Sequence, residues 1–214
     1  MDIYWYGQAC FKLKGQVATV VIDPFESDFV GLKLPKDLEA DVVLVTHGHQ
    51  DHNNVASVAG DPASFSWPGE YEVKGVVITG ISSFHDNSRG SERGLNTIYH
   101  LFVDGLNIVH LGDFGQSKLE EDQIQALGQI DILLIPVGGV YTISFKEAAE
   151  IVAQLEPKII IPMHYKIDGL KFELDGVDKF LKEIGAENAV PVLKLSISKD
   201  KLPEEPQVVV LSKS

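Results

Sequence analysis

The residues with the clearest capacity for chemistry lie in one short segment, residues 46–54, which reads Thr-His-Gly-His-Gln-Asp-His-Asn-Asn. Three imidazoles and a carboxylate fall within six positions of it, namely His47, His49, Asp51 and His52. Neutral imidazole nitrogens and anionic carboxylate oxygens are the donors that zinc, manganese and iron prefer. The alternative is a polar loop that is rich in histidine by chance, but the whole chain has only 7 histidines. The segment therefore predicts a metal site.

The elements around this segment place it at the edge of a sheet. An apolar run at 42–45 directly precedes it and has the length of a buried strand, and Gly48 allows the backbone to turn between the first two histidines. Further strands are predicted at 3–6, 10–13, 17–22, 75–81, 96–103, 107–111, 130–137, 158–163, 192–197 and 207–211. Helices are predicted at 117–127, 144–155 and 177–184, the first two opened by a serine that can cap them. This order indicates one α/β domain over 1–214.

Composition narrows the possible partners. The net charge is −13, and the 18 Lys and Arg residues are scattered, so we expect a small-molecule substrate and no nucleic acid. A single cysteine, Cys10, excludes an internal disulfide and predicts a small packed core residue. There is neither a signal-peptide pattern at the first residues nor an apolar run of about 18 residues, so we expect a cytoplasmic protein without a membrane partner. Oligomeric state is left open.

The pattern His-x-His-x-Asp-His after a strand resembles the signature of the metallo-β-lactamase superfamily. The other markers of that superfamily match, in the same order, Asp23 in Val-Ile-Asp-Pro, His85 in Ser-Phe-His-Asp, Asp113 in Leu-Gly-Asp and His164 in Pro-Met-His-Tyr. The resemblance implies a four-layer αββα sandwich. Within the superfamily, the chain most resembles the small hydrolases related to ascorbate-6-phosphate lactonase, in its compact size and in the segment 134–142.

The resemblance also implies a ligand set for two divalent cations, zinc first and manganese as the alternative. One ion takes His47, His49 and His85, the other takes Asp51, His52 and His164, and Asp113 bridges them. Six or more donors exceed what one closed tetrahedral site can use, which also favours two ions. Two cations about 3.5 to 4 Å apart would make hydroxide available at neutral pH as the nucleophile. Asp51 and Asp113 are the predicted catalytic residues, with Asp51 as proton shuttle and His110 or Tyr141 as alternatives.

Other candidates have competing interpretations. His100, inside a strand, and His110 are excluded as ligands, and for His110 a buried structural role is as plausible as catalysis. Asp23 either accepts the far N–H of a ligating histidine or is a turn residue before Pro24. Asp86 either acts similarly on His85 or is solvated. Tyr141 and Thr142 either line the substrate pocket or only precede a helix.

The predicted function is metal-dependent hydrolysis of an ester, lactone or phosphodiester bond in a small substrate, which can carry an anionic group. The alternatives are a non-catalytic metal-binding scaffold, a di-iron redox protein and a nuclease. A redox role is disfavoured because flavodiiron proteins typically have glutamate where this chain has His49 and also carry a flavin domain. Charge and length disfavour a nuclease.

Overall fold

The computed structural model describes residues 1–214 and contains two mixed β-sheets. The six-stranded sheet has the spatial order β12 (Leu195–Ser196), β1 (Asp2–Gly7), β2 (Cys10–Lys14), β3 (Thr19–Ile22), β4 (Val42–Leu44) and β5 (Ala63–Phe65). The seven-stranded sheet has the order β13 (Gln207–Val208), β11 (Ile159–Met163), β10 (Ile132–Pro136), β9 (Leu106–His110), β8 (Leu95–Val103), β7 (Val76–Phe84) and β6 (Gly69–Val73). The α-helices are α1 (Ser27–Val30), α2 (Glu121–Leu127), α3 (Phe145–Leu155) and α4 (Val177–Glu183), with short 3-10 helices at Val55–Ser57 and Lys199–Lys201.

Alternation along the strands of the six-stranded sheet separates two hydrophobic clusters. Val20 and Ile22 of β3 belong to the main cluster of 43 buried residues, which also contains residues of the seven-stranded sheet. Val21, between them, belongs to a second cluster of 12 buried residues with Val30 of α1. Successive side chains of a strand point to opposite faces. The sheets therefore pack face to face, and the segment around α1 covers the outer face of the six-stranded sheet.

Helices cover the outer face of the seven-stranded sheet. All five residues of β10 are buried, and Leu127 of α2, Ile151 of α3 and Phe180 of α4 extend the main cluster. A continuous apolar strand of this kind requires cover on both faces. The predicted αββα sandwich is confirmed. None of the helices has the length and apolar character that a membrane span requires.

The strands that precede the candidate ligands run in one direction within each sheet. In the first sheet β3 and β4 are parallel. In the second, β9, β10 and β11 are mutually parallel. β7 runs in the same direction, because β7 and β9 are each antiparallel to the strand between them, β8. The residues that follow β4, β7, β9 and β11 thus leave their sheets at carboxyl ends. This arrangement brings distant segments of the chain to one rim.

Several predicted elements differ in extent from those observed. The strands predicted at 192–197 and 207–211 shorten to β12 and β13, with an isolated bridge between Val192 and Leu211. β5, β6 and α1 were not predicted. β6 is an edge strand that reads Gly-Glu-Tyr-Glu-Val, and its two glutamates share one exposed face. Charged residues suit an edge strand, but in a sequence they resemble a loop.

Turn and cap signals had mixed outcomes. The Asp104-Gly105 hairpin is confirmed, since both residues have positive φ and join the antiparallel strands β8 and β9. Ser144 caps α3 as predicted, within a capping box with Glu147. The prediction that Ser117 caps a helix beginning at that residue is wrong. α2 begins four residues later, at Glu121, because Glu120 and Gln123 form its capping box instead.

Replacing the two serines tests this difference. We expect Ser144→Ala to lower the free energy of unfolding by about 1 kcal/mol, because the N–H of Glu147 and the side chain of Glu147 both lose their bonds to Ser144. Ser117→Ala is the matched control and should change it by less than about 0.5 kcal/mol. Urea unfolding of the two variants measures both values. Equal losses would contradict the observed start of α2.

Candidate metal centre

All seven predicted ligands converge where the carboxyl ends of the strands meet. Their donor atoms form two groups, and within each group the atoms lie within 4.8 Å of one another. The groups are His47, His49 and His85, and Asp51, His52, Asp113 and His164. Six of these seven residues are buried or partly buried, and His49 is the exposed member. A cluster of this composition can hold metal.

Asp113 joins the two groups. Its Oδ2 lies 3.2 Å from His85 Nε2, which belongs to the first group. The same oxygen lies 3.3 Å from Nε2 of His52 and 3.3 Å from Nε2 of His164, which belong to the second. One carboxylate oxygen therefore faces imidazoles from both groups. Burial acts to raise the pKa of Asp113, but the neighbouring His164 and His52 outweigh it and hold that pKa well below its usual value.

The first group is compact. His47 Nε2 and His49 Nδ1 are 3.0 Å apart, and the ring centroids of His47 and His85 are 4.8 Å apart. Burial lowers the pKa of His47 well below its usual value and lowers that of His49. His47 and His49 are therefore neutral at neutral pH, which is the state in which histidine binds metal.

Asp23 orients His52 through the ring nitrogen that does not face the cluster. Its Oδ2 lies 2.8 Å from His52 Nδ1 and accepts a hydrogen bond of 2.8 Å from the hydroxyl of Thr46, whose backbone N–H donates to Oδ1. A proton on Nδ1 that bonds to Asp23 leaves the lone pair of Nε2 directed into the cluster. Of the two interpretations offered for Asp23, the geometry favours the one in which it positions a histidine.

The buried polar atoms fit a cation. His52 Nε2 and Asp113 Oδ1 are buried and have no hydrogen-bond partner. The side chains of Asp23, Asp51 and Asp113 have no Lys or Arg within ion-pair distance and contact histidines instead. Buried carboxylates are normally paired or coordinate a metal. Bound divalent cations would give these unpartnered nitrogen and oxygen atoms a ligand bond and would balance the charge of the carboxylates.

The backbone supports this arrangement in a conformation that L-residues seldom adopt. Gln8, Asp23 and His164 have φ values of 49°, 50° and 52°, in the left-handed region. Gly112 has φ 59°, and a Cβ there would overlap Asn96 Oδ1 and Thr46 Cβ. Asn96 Oδ1 accepts the backbone N–H of Asp113 at 3.0 Å. Close packing at Gly112 thus holds Asp113 in position.

Gln8 is a site residue that the sequence analysis missed. Its Nε2 donates to Asp51 Oδ2 at 3.2 Å and lies 3.3 Å from His164 Nε2, while its backbone oxygen accepts the N–H of His164. Gln8 sits in the turn after β1, and only its polarity between Gly7 and Ala9 marks it in the sequence. It therefore links the first hairpin to the second group of donors.

Two cavities open beside the cluster and meet at His49 and Arg93. The first, of about 430 Å³, is lined by Asp51, Asp113 and other members of the cluster together with the aromatic residues Phe29, Tyr141 and Phe172. The second, of about 650 Å³, lies on the side of Trp67 and Leu95. Tyr141 thus lines the cavity next to the donors, as one interpretation predicted. Thr142 does not line either cavity.

The remaining candidates lie outside the cluster. His100 Nε2 contacts Asn107 Oδ1 at 3.1 Å. His110 is fully buried, with Nε2 2.8 Å from the Ala9 carbonyl oxygen and Nδ1 accepting the N–H of Gly112. Both ring nitrogens of His110 are therefore bonded to backbone, which favours a structural role. Cys10 is buried in the second cluster, and burial raises its pKa well above the usual value.

The comparison with known proteins agrees with this geometry. A family described as the β-lactamase superfamily domain matches residues 2–164. The chain belongs to the β-lactamase superfamily. The predicted family is confirmed, whereas the narrower likeness to ascorbate-6-phosphate lactonase stays a prediction.

Relatives define the enzyme class. A metal-dependent hydrolase of Thermoplasma acidophilum, of the UPF0173 group, is 34% identical over 188 residues, covering 77% of this chain and 83% of the relative. A crystal structure from Thermotoga maritima, described as a zinc-dependent hydrolase of the metallo-β-lactamase superfamily, is 39% identical with a TM-score of 0.81 and covers 98% of this chain and 97% of its own. The prediction of a metal-dependent hydrolase of this superfamily is confirmed at the level of enzyme class.

Proposed function

We propose that the protein uses two divalent cations to hydrolyse an ester, lactone or phosphodiester bond in a small substrate. The observation that carries this proposal is the position of Asp113 Oδ2, within 3.3 Å of histidines from both donor groups. The first ion would be held by His47, His49 and His85, the second by Asp51, His52 and His164, with Asp113 between them. The zinc dependence ascribed to the Thermotoga relative supports zinc, with manganese as the alternative.

When bound, such cations would supply an acidified water as nucleophile and would polarise the carbonyl or phosphoryl oxygen of the group under attack. The side chains of the protein itself would transfer a proton to the leaving group and hold the proton-transferring carboxylate in place. The side chain of Asp51 is 13% exposed, whereas that of Asp113 is 3% exposed, so Asp51 is the cluster carboxylate that reaches the cavity most openly. We assign it the transfer of a proton to the leaving group, with Gln8 holding its Oδ2.

The size and charge of the molecule support a small substrate. The cavity of about 430 Å³ is in the range of small-molecule sites. A net charge of −13 repels the backbone of a nucleic acid. Two aromatic side chains, Phe29 and Phe172, have ring centroids 5.5 Å apart and add apolar surface to the cavity that the donors line.

Metal analysis and turnover of three probes test the proposal: an aryl ester, a γ-lactone and bis(4-nitrophenyl) phosphate. We expect two equivalents of zinc or manganese per chain and hydrolysis of at least one probe. Asp51→Asn should lower kcat by at least about 100-fold, because the carboxylate that moves the proton is lost. Asp28→Asn is the control, since Asp28 is exposed next to Phe29 and lies outside the cluster.

Three outcomes would contradict the proposal. Two irons with oxygen consumption would indicate redox chemistry, and bound metal without turnover of any probe would indicate a scaffold. Equal rates for Asp51→Asn and wild type, at equal metal content, would remove Asp51 from proton transfer.

A further inference from the structure

The chain has only two arginines, Arg89 and Arg93, and both lie in the loop that follows His85. Arg93 lines the cavity next to the donors and also the larger cavity beside Trp67. No other Lys or Arg lines either of them. Arg93 is therefore the one cationic side chain at the mouth of the candidate metal centre.

The guanidinium of Arg93 has no strong partner within the protein. It makes no hydrogen bond, and the nearest carboxylate oxygen, Glu92 Oε2, is 4.0 Å away at the limit of an ion pair. Its Cζ lies 5.9 Å from the ring centroid of Tyr141, and the side chain is 37% exposed. The planar fork of N–H donors thus remains available to a ligand, while the aromatic ring limits its position.

Asp86 fixes the backbone that carries Arg93. This buried carboxylate accepts four backbone N–H groups at 2.8 to 3.0 Å, those of Ser88, Gly90, Glu92 and Arg93. It neither contacts the ring of His85 nor is solvated, so both interpretations offered from the sequence are wrong. Because Asp86 directly follows His85, the position of Arg93 is tied to a predicted metal ligand.

A guanidinium in this position matches a carboxylate or phosphate, which it can bind through two parallel N–H bonds. The rest of the molecule is strongly acidic, so an anionic substrate needs a specific cation near the centre. The neighbouring rings of Tyr141 and Phe172 have centroids 6.2 Å apart and planes inclined at 77°, and this edge-to-face pair offers an apolar surface beside it. These features together describe a site for an oxyanion attached to an apolar group.

We propose that Arg93 binds an anionic oxygen group of the substrate, a carboxylate or phosphate, while an apolar part of the same molecule packs against Tyr141 and Phe172. The inference rests on the proposed hydrolase function and deepens it by naming the substrate class. Arg93 is a specificity residue in this proposal. The loop of Asp86 and Arg93 then sets the distance between the anionic group and the bond that is cleaved.

Paired substrates test the inference. Mono(4-nitrophenyl) glutarate carries a carboxylate, and 4-nitrophenyl pentanoate is its neutral counterpart. We expect the ratio of their kcat/KM values to fall about 10- to 100-fold in Arg93→Gln, mainly through KM for the anionic ester, because a charge-assisted pair is lost. Arg93→Lys should restore part of the ratio, since it keeps the charge without the fork.

Arg89→Gln is the matched control. It removes the same charge from the same loop, but Arg89 lines a different cavity, beside Lys118 and Glu120. We expect it to leave the ratio within about twofold of wild type, as for surface substitutions generally. A general loss of surface potential would instead lower the ratio equally in both variants and would overturn the inference.

Binding to the metal-free protein separates this inference from the hydrolase proposal. Phenylphosphonate is titrated by calorimetry, with benzamide as the neutral probe, and Arg93→Gln should weaken the phosphonate at least about 10-fold without affecting benzamide. Arg93-dependent phosphonate binding without hydrolysis of any of the ester, lactone or phosphodiester probes would support the anion site and reject the hydrolase. Hydrolysis that is insensitive to Arg93, with phosphonate binding equal in both arginine variants, would reject the anion site alone.

Discussion

Replacing Asp113 with asparagine is expected to reduce the bound metal from two ions to at most one per chain and to lower kcat/KM by at least about 1,000-fold. The amide keeps the shape of the side chain but removes the negative charge that faces three imidazoles at 3.2 to 3.3 Å. Loss of metal-based charge stabilisation is worth several kcal/mol of the barrier, and each 1.36 kcal/mol is tenfold in rate. Elemental analysis and steady-state kinetics measure the two effects.

Asp131→Asn is the control for Asp113→Asn. Asp131 is equally buried, but it precedes β10 at the opposite rim, where it pairs with Lys199 and accepts the N–H of Asn107. We expect this variant to lose some stability and to keep its metal. Full metal occupancy in Asp113→Asn would show that Asp113 does not hold the ions and would leave the two donor groups without a shared ligand.

The second large effect is expected from Asp23→Ala. Removing this fully buried carboxylate leaves the N–H of Thr46 and the Nδ1 of His52 without their partner, whereas the Thr46 hydroxyl keeps its contact with His47 Nδ1 at 3.1 Å. Each unsatisfied buried group costs about 1 to 3 kcal/mol, so we expect the metal-free protein to lose about 3 kcal/mol of unfolding free energy. Loss of the bond that orients His52 should also weaken metal binding by about 10- to 100-fold.

Urea unfolding of the metal-free protein and competition with a chelator measure these changes separately. Asp41→Ala is the control, because Asp41 also accepts a backbone N–H, that of Thr19, but lies at the start of β4 with its side chain 31% exposed. It should cost about 1 kcal/mol and leave metal affinity unchanged. If Asp23→Ala lost stability but bound metal as tightly as wild type, Asp23 would be a turn residue only.

The ligand-bearing loops could be predicted because their signals are local. In residues 42–52, an apolar strand is followed by closely spaced histidines and an aspartate. A few residues therefore predict both the strand and the metal-binding side chains. The hairpin at Asp104 and the cap at Ser144 are local in the same sense, since turn and cap preferences depend on neighbouring backbone groups. Ser117 failed because Glu120, nearer the helix, formed the competing capping box.

The sequence analysis missed Gln8 and did not say which histidine Asp23 orients, because these contacts join residues that are far apart in the chain. Gln8 reaches Asp51 across 43 positions, and Asp23 reaches His52 across 29. The edge strand β6 is short and has no fully buried residue, so it forms mainly through pairing with its neighbour β7.

From its residues alone, the chain determines which donors are available and that each follows a strand. The tertiary structure decides which of them share an oxygen of Asp113, and it places Arg93 beside Tyr141 at the cavity mouth. The physical reason is that strand propensity and ligand chemistry are properties of local sequence. Convergence depends instead on strand direction and on the packing of two sheets, which only the folded chain brings together.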